Sequence, residues 1–421
     1  MRLWSRDARD YSVRVSSTAF DVEAPEAVHE NGARKRLAAA LEHPAALWSV
    51  PALIYLFVRQ VGVYVLQLVV DYQNELRGST MTAMGELRSW DGEWFLGIAA
   101  GGYNDVPSHL ADAAGRRTAE TPLAFFPGYP ALVRWVHGLP GVSVEGAGFT
   151  VSVISGLFCA YALFVLGRTV RNGSTAAGLV LVTLFAASPM AVVLSMTYSE
   201  ATFCAFAAWA LVGVVRKRWI LAGVCCAAAG LVRPTAAALI AAVVLAALVA
   251  VLADRHDWRA WVGGLVAPLG LLGYLGWVAV RTGDLAGWFG VQQRGWNSKF
   301  DGGAATLKFA FEHLGNPRTE LETGTVWLLI VAIVLVCYAF QRRLEWPLIV
   351  YGIGVLVMDL GSNGLMNSKA RLLLPAFTLL IPLALVLARR RLSTVLTVLG
   401  LVTLFSAWFG AYSLAVWQYA I

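Results

Sequence analysis

Between Arg88 and Asp105 the chain reads RSWDGEWFLGIAAGGYND, which sets two carboxylates, Asp91 and Glu93, among Trp90, Trp94 and Phe95. A carboxylate among aromatic rings loses hydration, which raises its proton affinity, and a neighbouring cation brings that affinity down again. A base tuned in this way can take a proton from a hydroxyl. The same residues could instead form an aromatic belt at a membrane surface with solvated acids between the rings. Elsewhere Arg233, Lys369 and Arg371 stand in short turns between apolar runs, and Glu200 and Asp359 lie near the ends of such runs. A charge at the centre of a bilayer costs about 2.5–3.5 kcal/mol on insertion scales, so each of these positions is a candidate for function. Two of them have plainer alternatives. Glu200 could, with Ser199, satisfy the free N–H groups at the start of a helix, and Arg59, inside the first apolar run, could snorkel or pair with a neighbour.

The elements that must position these groups are apolar. Of the 421 residues, 58% are hydrophobic and 14% charged, against about 25% charged in an average soluble domain. The mean hydropathy is +0.64. Stretches of roughly 17 to 25 apolar residues recur, each long enough to cross a hydrocarbon core of about 30 Å as a helix. An all-α polytopic membrane protein is therefore predicted, with eleven candidate spans at about 46–70, 148–167, 174–196, 200–215, 219–232, 235–252, 260–280, 325–341, 345–360, 372–388 and 393–417. The +7 formal charge sits in turns, at Arg168/Arg171, Arg216 to Arg218, Arg255/Arg259, Arg342/Arg343 and Arg389 to Arg391, and in the first 36 residues. That is a topology signal rather than a nucleic-acid patch. It puts all these turns inside if residues 121–139, interrupted by Pro122, Pro127 and Pro130, lie along the outer surface.

The domain reading follows. Residues 1–45 lack the apolar run of a signal peptide and are expected to form a disordered cytoplasmic tail. Residues 46–421 are the membrane domain, with external segments at about 71–147 and 281–324 that offer the room for chemistry. Cys159, Cys204, Cys225, Cys226 and Cys337 all fall in apolar runs without metal-ligand spacing, and are read as small core residues. No Gly-rich nucleotide loop is recognisable.

Four segments, in order, resemble the PIG-V family of GPI mannosyltransferase 2 and its bacterial relatives. They are WDGEWFLGIAAGGY (90–103), AFFPGYPALV (124–133), SPMAVVLSMTYSEATFCAF (188–206) and GLVRPTAAAL (230–239), and a fifth, ARLLLPAFTLLIPLAL (370–385), resembles the closing motif of the bacterial members. The resemblance implies a GT-C type glycosyltransferase in the plasma membrane with its site at the extracytoplasmic face. It implies an inverting mannosyltransferase that uses polyprenyl-phosphate mannose, with a glycolipid, glycan or protein hydroxyl as acceptor and with neither metal nor cofactor. Asp91 would be the catalytic carboxylate, with Glu93 as the alternative. Where eukaryotic relatives tend to have a His before the Phe this chain has Trp94, and VRPT replaces RSNG, which keeps Arg233 but puts the polar contacts after it in doubt.

Such a reaction needs a base for the acceptor hydroxyl and cations for the departing lipid phosphate. Arg371, Arg233 and Lys369 suit the phosphate, arginine offering a planar fork. Trp90, Trp94, Tyr129, Glu200, Gln293 and Trp296 are the candidates for sugar and acceptor contacts, aromatic faces suiting the C–H side of a sugar and amides its rim. Trp288, Gln292 and Asn297 belong to the same external stretch. A non-enzymatic flippase or transporter of lipid-linked sugars would also use interior charges and many spans, although no internal repeat of the kind many transporters carry is visible. The topology has its own test. In intact cells, Asn172→Cys should stay unreactive to an impermeant maleimide added outside, and labelling there would invert the arrangement of arginine turns.

Overall fold

The computed structural model describes residues 44–317, 319–417 and 419, so the tail expected over 1–45 lies almost wholly outside the described residues. From Leu47 onward the chain forms one compact unit. A first helix, α1 (Pro44–Arg77), passes into a surface layer of α2 (Ala83–Glu86), α3 (Asp91–Gly101), a 3-10 turn at Thr121–Ala124 and α4 (Gly128–His137). The bundle continues with α5 (Val144–Thr169), α6 (Thr175–Ala186), α7 (Glu200–Val215), α8 (Trp219–Gly230), α9 (Ala236–Ala253), α10 (Trp258–Val266) and α11 (Leu269–Thr282). A second surface layer holds α12 (Gly287–Trp296) and α13 (Ala304–Gly315). The chain closes with α14 (Glu320–Gln341), α15 (Trp346–Gly361), the one-turn α16 (Lys369–Leu372), α17 (Ile381–Leu387) and α18 (Leu392–Ala411). Among the described residues extended pairing is confined to one antiparallel bridge, Phe300 to Ser362.

Every apolar run read from the sequence is helical, but the helices differ in length. Among the described residues six are long and apolar enough to cross a membrane, with α10 and α11 (Trp258–Thr282) counted as one, and the bent pair Met366–Leu372 and Leu374–Leu387 would make a seventh. Four shorter apolar helices, α6, α7, α8 and α15, have only 12 or 16 residues, or roughly 18–24 Å of rise. Hydropathy cannot separate such helices from spans, because a helix walled in by other helices is as apolar as one facing lipid. The run at 174–196 shows why: Pro189 lies past the end of α6, and the chain turns through a 3-10 segment at Ala191–Leu194. In the other direction α1 runs to Arg77, beyond the predicted end at 70. The segment 121–139 contains nothing longer than the ten-residue α4.

Local chemistry starts the helices. Ser143, Ser174, Asp257 and Thr319 each accept a backbone N–H at an N-terminus, at the heads of α5, α6, α10 and α14. Packing then depends on small residues, as expected where lipid removes most of the hydrophobic driving force between helices. α7 lies at the centre, packed against α5 and α8, and is buried along nearly its whole length. α8 meets α10 and α11 through glycines: a Cβ on Gly223 would stand 2.4 Å from the Gly263 carbonyl oxygen, and one on Gly270 would stand 1.8 Å from that of Ala227. Cys159, Cys204, Cys225 and Cys226 are buried in this packing, whereas Cys337 is exposed on α14, a correction to its core assignment. Arg59 is structural: its Nε donates to Ser195 Oγ at 3.0 Å and its Nη1 to the Ala186 carbonyl at 2.9 Å, tying α1 to the turn after α6. Gly270→Leu should push α8 and α11 apart and destabilise by about 1–3 kcal/mol or more, seen as a lowered Tm in detergent. A Tm equal to that of the parent would mean the helices are not held at this distance.

Candidate functional site

The two surface layers and the adjoining ends of α7, α9 and α15 enclose a cavity of about 840 Å3. One pole is charged. Asp91 begins α3, where a carboxylate also favours the positive end of the helix. The residue before it, Trp90, has φ +57, an uncommon conformation for a bulky side chain. Gly92 lets this turn sit against Thr197, since a Cβ there would be 2.6 Å from Thr197 Oγ1. The Thr197 amide donates to the Leu87 carbonyl at 3.0 Å and the Asp91 amide to the Tyr198 hydroxyl at 3.2 Å, so the segment before α7 holds the start of α3 in place.

Four charged groups then converge from four elements. Arg371 Nη2 on α16 donates to Asp91 Oδ2 at 2.7 Å, and Arg371 Nε is 3.9 Å from Glu200 Oε1. Arg233, in the turn before α9, places Nη1 2.7 Å from the same Glu200 oxygen and donates to Ser199 Oγ at 3.0 Å. Glu200 is wholly buried between the two guanidiniums. The Arg371 guanidinium lies 5.2 Å from the centre of the Tyr198 ring, a cation–π contact. Burial first, and then the nearby Asp91 carboxylate, push the Tyr198 phenol well above its ordinary pKa, so it stays neutral. Arg371 Nε and Nη1 and Arg233 Nε have no hydrogen-bond partner among the described residues. These donors are buried beside the cavity wall, and an oxyanion that displaced the internal contacts is the kind of group they would satisfy.

The remainder of the wall is largely apolar, with Phe126, Leu271, Leu275, Phe289, Val355 and Met358. Its far side is fixed by the bridge between Phe300 and Ser362 and by the Asn363 amide donating to the Lys299 carbonyl at 3.0 Å. Trp288 Nε1 and Gln292 Nε2 both donate to the Ala124 carbonyl, at 3.4 and 3.1 Å, joining α12 to the turn before α4.

Of the residues singled out from the sequence, Asp91, Glu93, Trp90, Trp94, Trp296, Arg233, Lys369 and Arg371 line the cavity. The two acids differ in setting: Asp91 faces Arg371, while Glu93 is half exposed and 3.9 Å from His109 Nε2. Lys369 is buried, and its Nζ donates to the carbonyls of Asp359 and Ser362 at 2.5 and 2.8 Å, so it braces the turn after α15 rather than presenting a spare cation. Trp94 has Phe125 stacked on its ring at 5.1 Å and the Arg117 guanidinium 5.2 Å from it, which leaves little of the ring for a ligand. Trp90 is 40% exposed at the rim.

Three assignments require correction. Tyr129 is wholly buried with its hydroxyl against the Gly148 carbonyl and Ser152, in the core below the cavity. Gln293 is exposed and off the cavity, because the helical turn of α12 directs Gln292 inward instead. Glu200 is not on the wall and acts through the two arginines, and Ser199 makes no cap bond because its hydroxyl accepts from Arg233. Tyr198 and His109 were missed. The first lies inside the TYSE segment next to Glu200, and the second had no sequence signal beyond its place in the external loop.

No family model matches the chain, and no curated protein matches it. Among solved structures it is similar to ArnT from Cupriavidus metallidurans in the apo state, at 16% identity and a TM-score of 0.48, over 80% of this chain and 59% of that one. The chain thus spans less than two thirds of that protein's length. The all-helical, multi-span class follows from the helices described above, and the resemblance to PIG-V proteins rests on the short segments alone.

The charge cluster has a mechanical consequence. Glu200→Ala would leave two guanidiniums facing each other without their carboxylate, and breaking a buried pair typically costs about 3–5 kcal/mol. Glu93→Ala removes a half-exposed group and should cost well under about 1 kcal/mol. Thermal unfolding in the same detergent should rank them in that order, and equal Tm values would mean Glu200 does not hold the site together.

Proposed function

We propose that the chain is a membrane-embedded glycosyltransferase that takes mannose from a polyprenyl-phosphate donor and passes it to the hydroxyl of a glycolipid, glycan or protein. The observation that carries this reading is the Asp91–Arg371 pair on the wall of a cavity whose arginines have donors to spare. An apolar wall beside a charged pole with two arginines suits a substrate made of a lipid chain and a phosphate sugar. The mannosyl and inverting character come from the family resemblance.

In this reading the donor phosphate takes the unused donors of Arg371 and Arg233, and draws Arg371 away from Asp91. The freed carboxylate then accepts the proton of the acceptor hydroxyl as its oxygen bonds to the anomeric carbon. The bond from that carbon to the phosphate oxygen breaks, its electron pair leaving with the lipid phosphate, whose added charge the two guanidiniums take up. Binding energy at the phosphate thereby sets the base free only when the donor is present, so donor and acceptor steps are coupled. Glu200 keeps the guanidiniums in position, and Tyr198 supports Arg371 from below.

Asp91→Asn keeps shape but removes the proton acceptor. Transfer of radiolabelled mannose from synthetic polyprenyl-phosphate mannose should fall about 10² to 10⁴-fold in kcat with donor binding retained, and Glu93→Gln should be milder. Arg371→Ala should weaken donor use about ten- to a hundredfold, with Arg371→Lys intermediate. Near-parental transfer by folded Asp91→Asn would sink the assignment, and a defect confined to Glu93→Gln would move the base two residues along. Normal transfer by both variants would favour a flippase.

A further inference from the structure

A second cavity, of about 510 Å3, lies among three turns far apart in sequence. Arg171 and Asn172 come from the turn between α5 and α6, Gln341, Arg342 and Arg343 from that between α14 and α15, and Arg389 and Arg390 from that between α17 and α18. Leu385 and Val386 of α17 complete its lining. α15 starts beside it at Trp346 and ends at Gly361, with Asp359 on the wall of the first cavity. The two cavities therefore stand at opposite ends of a helix about 24 Å long, and the positive-inside bias assigns the arginine end to the cytoplasm.

From this convergence we infer a binding site for the phosphate headgroup of an anionic phospholipid. A topology signal requires only that arginines lie somewhere in the turns. It does not require three separate turns to direct five of them at one concavity. Most of this charge has no carboxylate partner among the described residues. Glu345, the carboxylate closest in sequence, is engaged by the Arg171 amide, which donates to its Oε1 at 2.6 Å. Arg342 Nη2 donates to the Tyr338 hydroxyl at 2.8 Å. Among the described residues Arg171, Arg343 and Arg389 pair with no carboxylate. A phosphate oxyanion matches several guanidinium forks at once.

The surroundings indicate a lipid rather than a soluble anion. Leu385 and Val386 line the cavity with the arginines, and Phe340 near the end of α14, Trp346 at the start of α15 and Leu396 near the start of α18 are exposed. Apolar side chains below a cationic ring, with a Trp at the boundary, are the setting of a headgroup whose acyl chains run down the helices. This site does not depend on the reading of the first cavity.

The test uses the full chain in nanodiscs of phosphatidylcholine alone or mixed with phosphatidylglycerol, reading lipid retained through extraction by native mass spectrometry and Tm by thermal unfolding. The parent should retain phosphatidylglycerol selectively and gain Tm from it. The combined variant Arg342→Gln, Arg343→Gln, Arg389→Gln should lose about tenfold or more of that retention, whereas Arg216→Gln, Lys217→Gln, Arg218→Gln, which removes equal charge from another turn on the same face, should keep it. Should the cavity variant fail to insert, Arg343→Lys with Arg389→Lys preserves the charge and should show a partial loss. Equal loss in both neutralised variants, equal retention of phosphatidylcholine, or no loss in the cavity variant would overturn the site. Inorganic phosphate that raised the Tm in phosphatidylcholine as much as phosphatidylglycerol does would overturn the lipid assignment.

Discussion

A single buried carboxylate holds the first cavity together. Glu200 is wholly enclosed and has a guanidinium on each side, one from the turn before α9 and one from α16. Arg233 has no other carboxylate partner among the described residues, whereas Arg371 is shared between Glu200 and Asp91, and a buried cation must be paired. Asp91 then takes the outward side of Arg371. The result is two acids and two bases drawn from α3, α7, the α9 turn and α16, which lie far apart in the chain. Much of the surrounding fold keeps these four elements in register, from the glycine crossings of α8 to the brace that Lys369 gives the turn after α15.

How much of this was legible beforehand follows from the physics of each signal. Hydropathy reports the solvent around a helix, so the apolar runs were readable and all became helices. It does not report whether neighbours are lipid or protein, so it could not give the lengths of α6, α7, α8 and α15, which have 12 or 16 residues. Charges in an apolar setting were readable for the same reason, since each is costly, and Asp91, Glu200, Arg233 and Arg371 were all noticed. Their pairing was not, because it is set by contacts between positions as distant as 91 and 371. Errors came at surface helices, where one residue of register decides which side chain turns inward. Gln292 rather than Gln293 is on the wall for that reason, and Tyr129 turned into the core although its neighbours Phe125 and Phe126 face the cavity.

The two ends of the bundle treat arginine differently. At the first cavity each guanidinium is buried and balanced by a carboxylate, which makes its position exact enough for directional bonding. At the other end the arginines are exposed around one concavity, and Arg171, Arg343 and Arg389 pair with no carboxylate among the described residues. The same residue type thus serves an internal ion-pair network at one end and an open concavity at the other.

The contact at Gly128 links α4 to the charged pole. Its amide donates to the Leu231 carbonyl at 2.7 Å, and a Cβ at that position would stand 2.8 Å from the same oxygen. The amphipathic α4 and the turn bearing Arg233 are thereby one mechanical piece. A shift of α4 would move the turn that carries Arg233, so the spacing of the two guanidiniums is coupled to the position of α4.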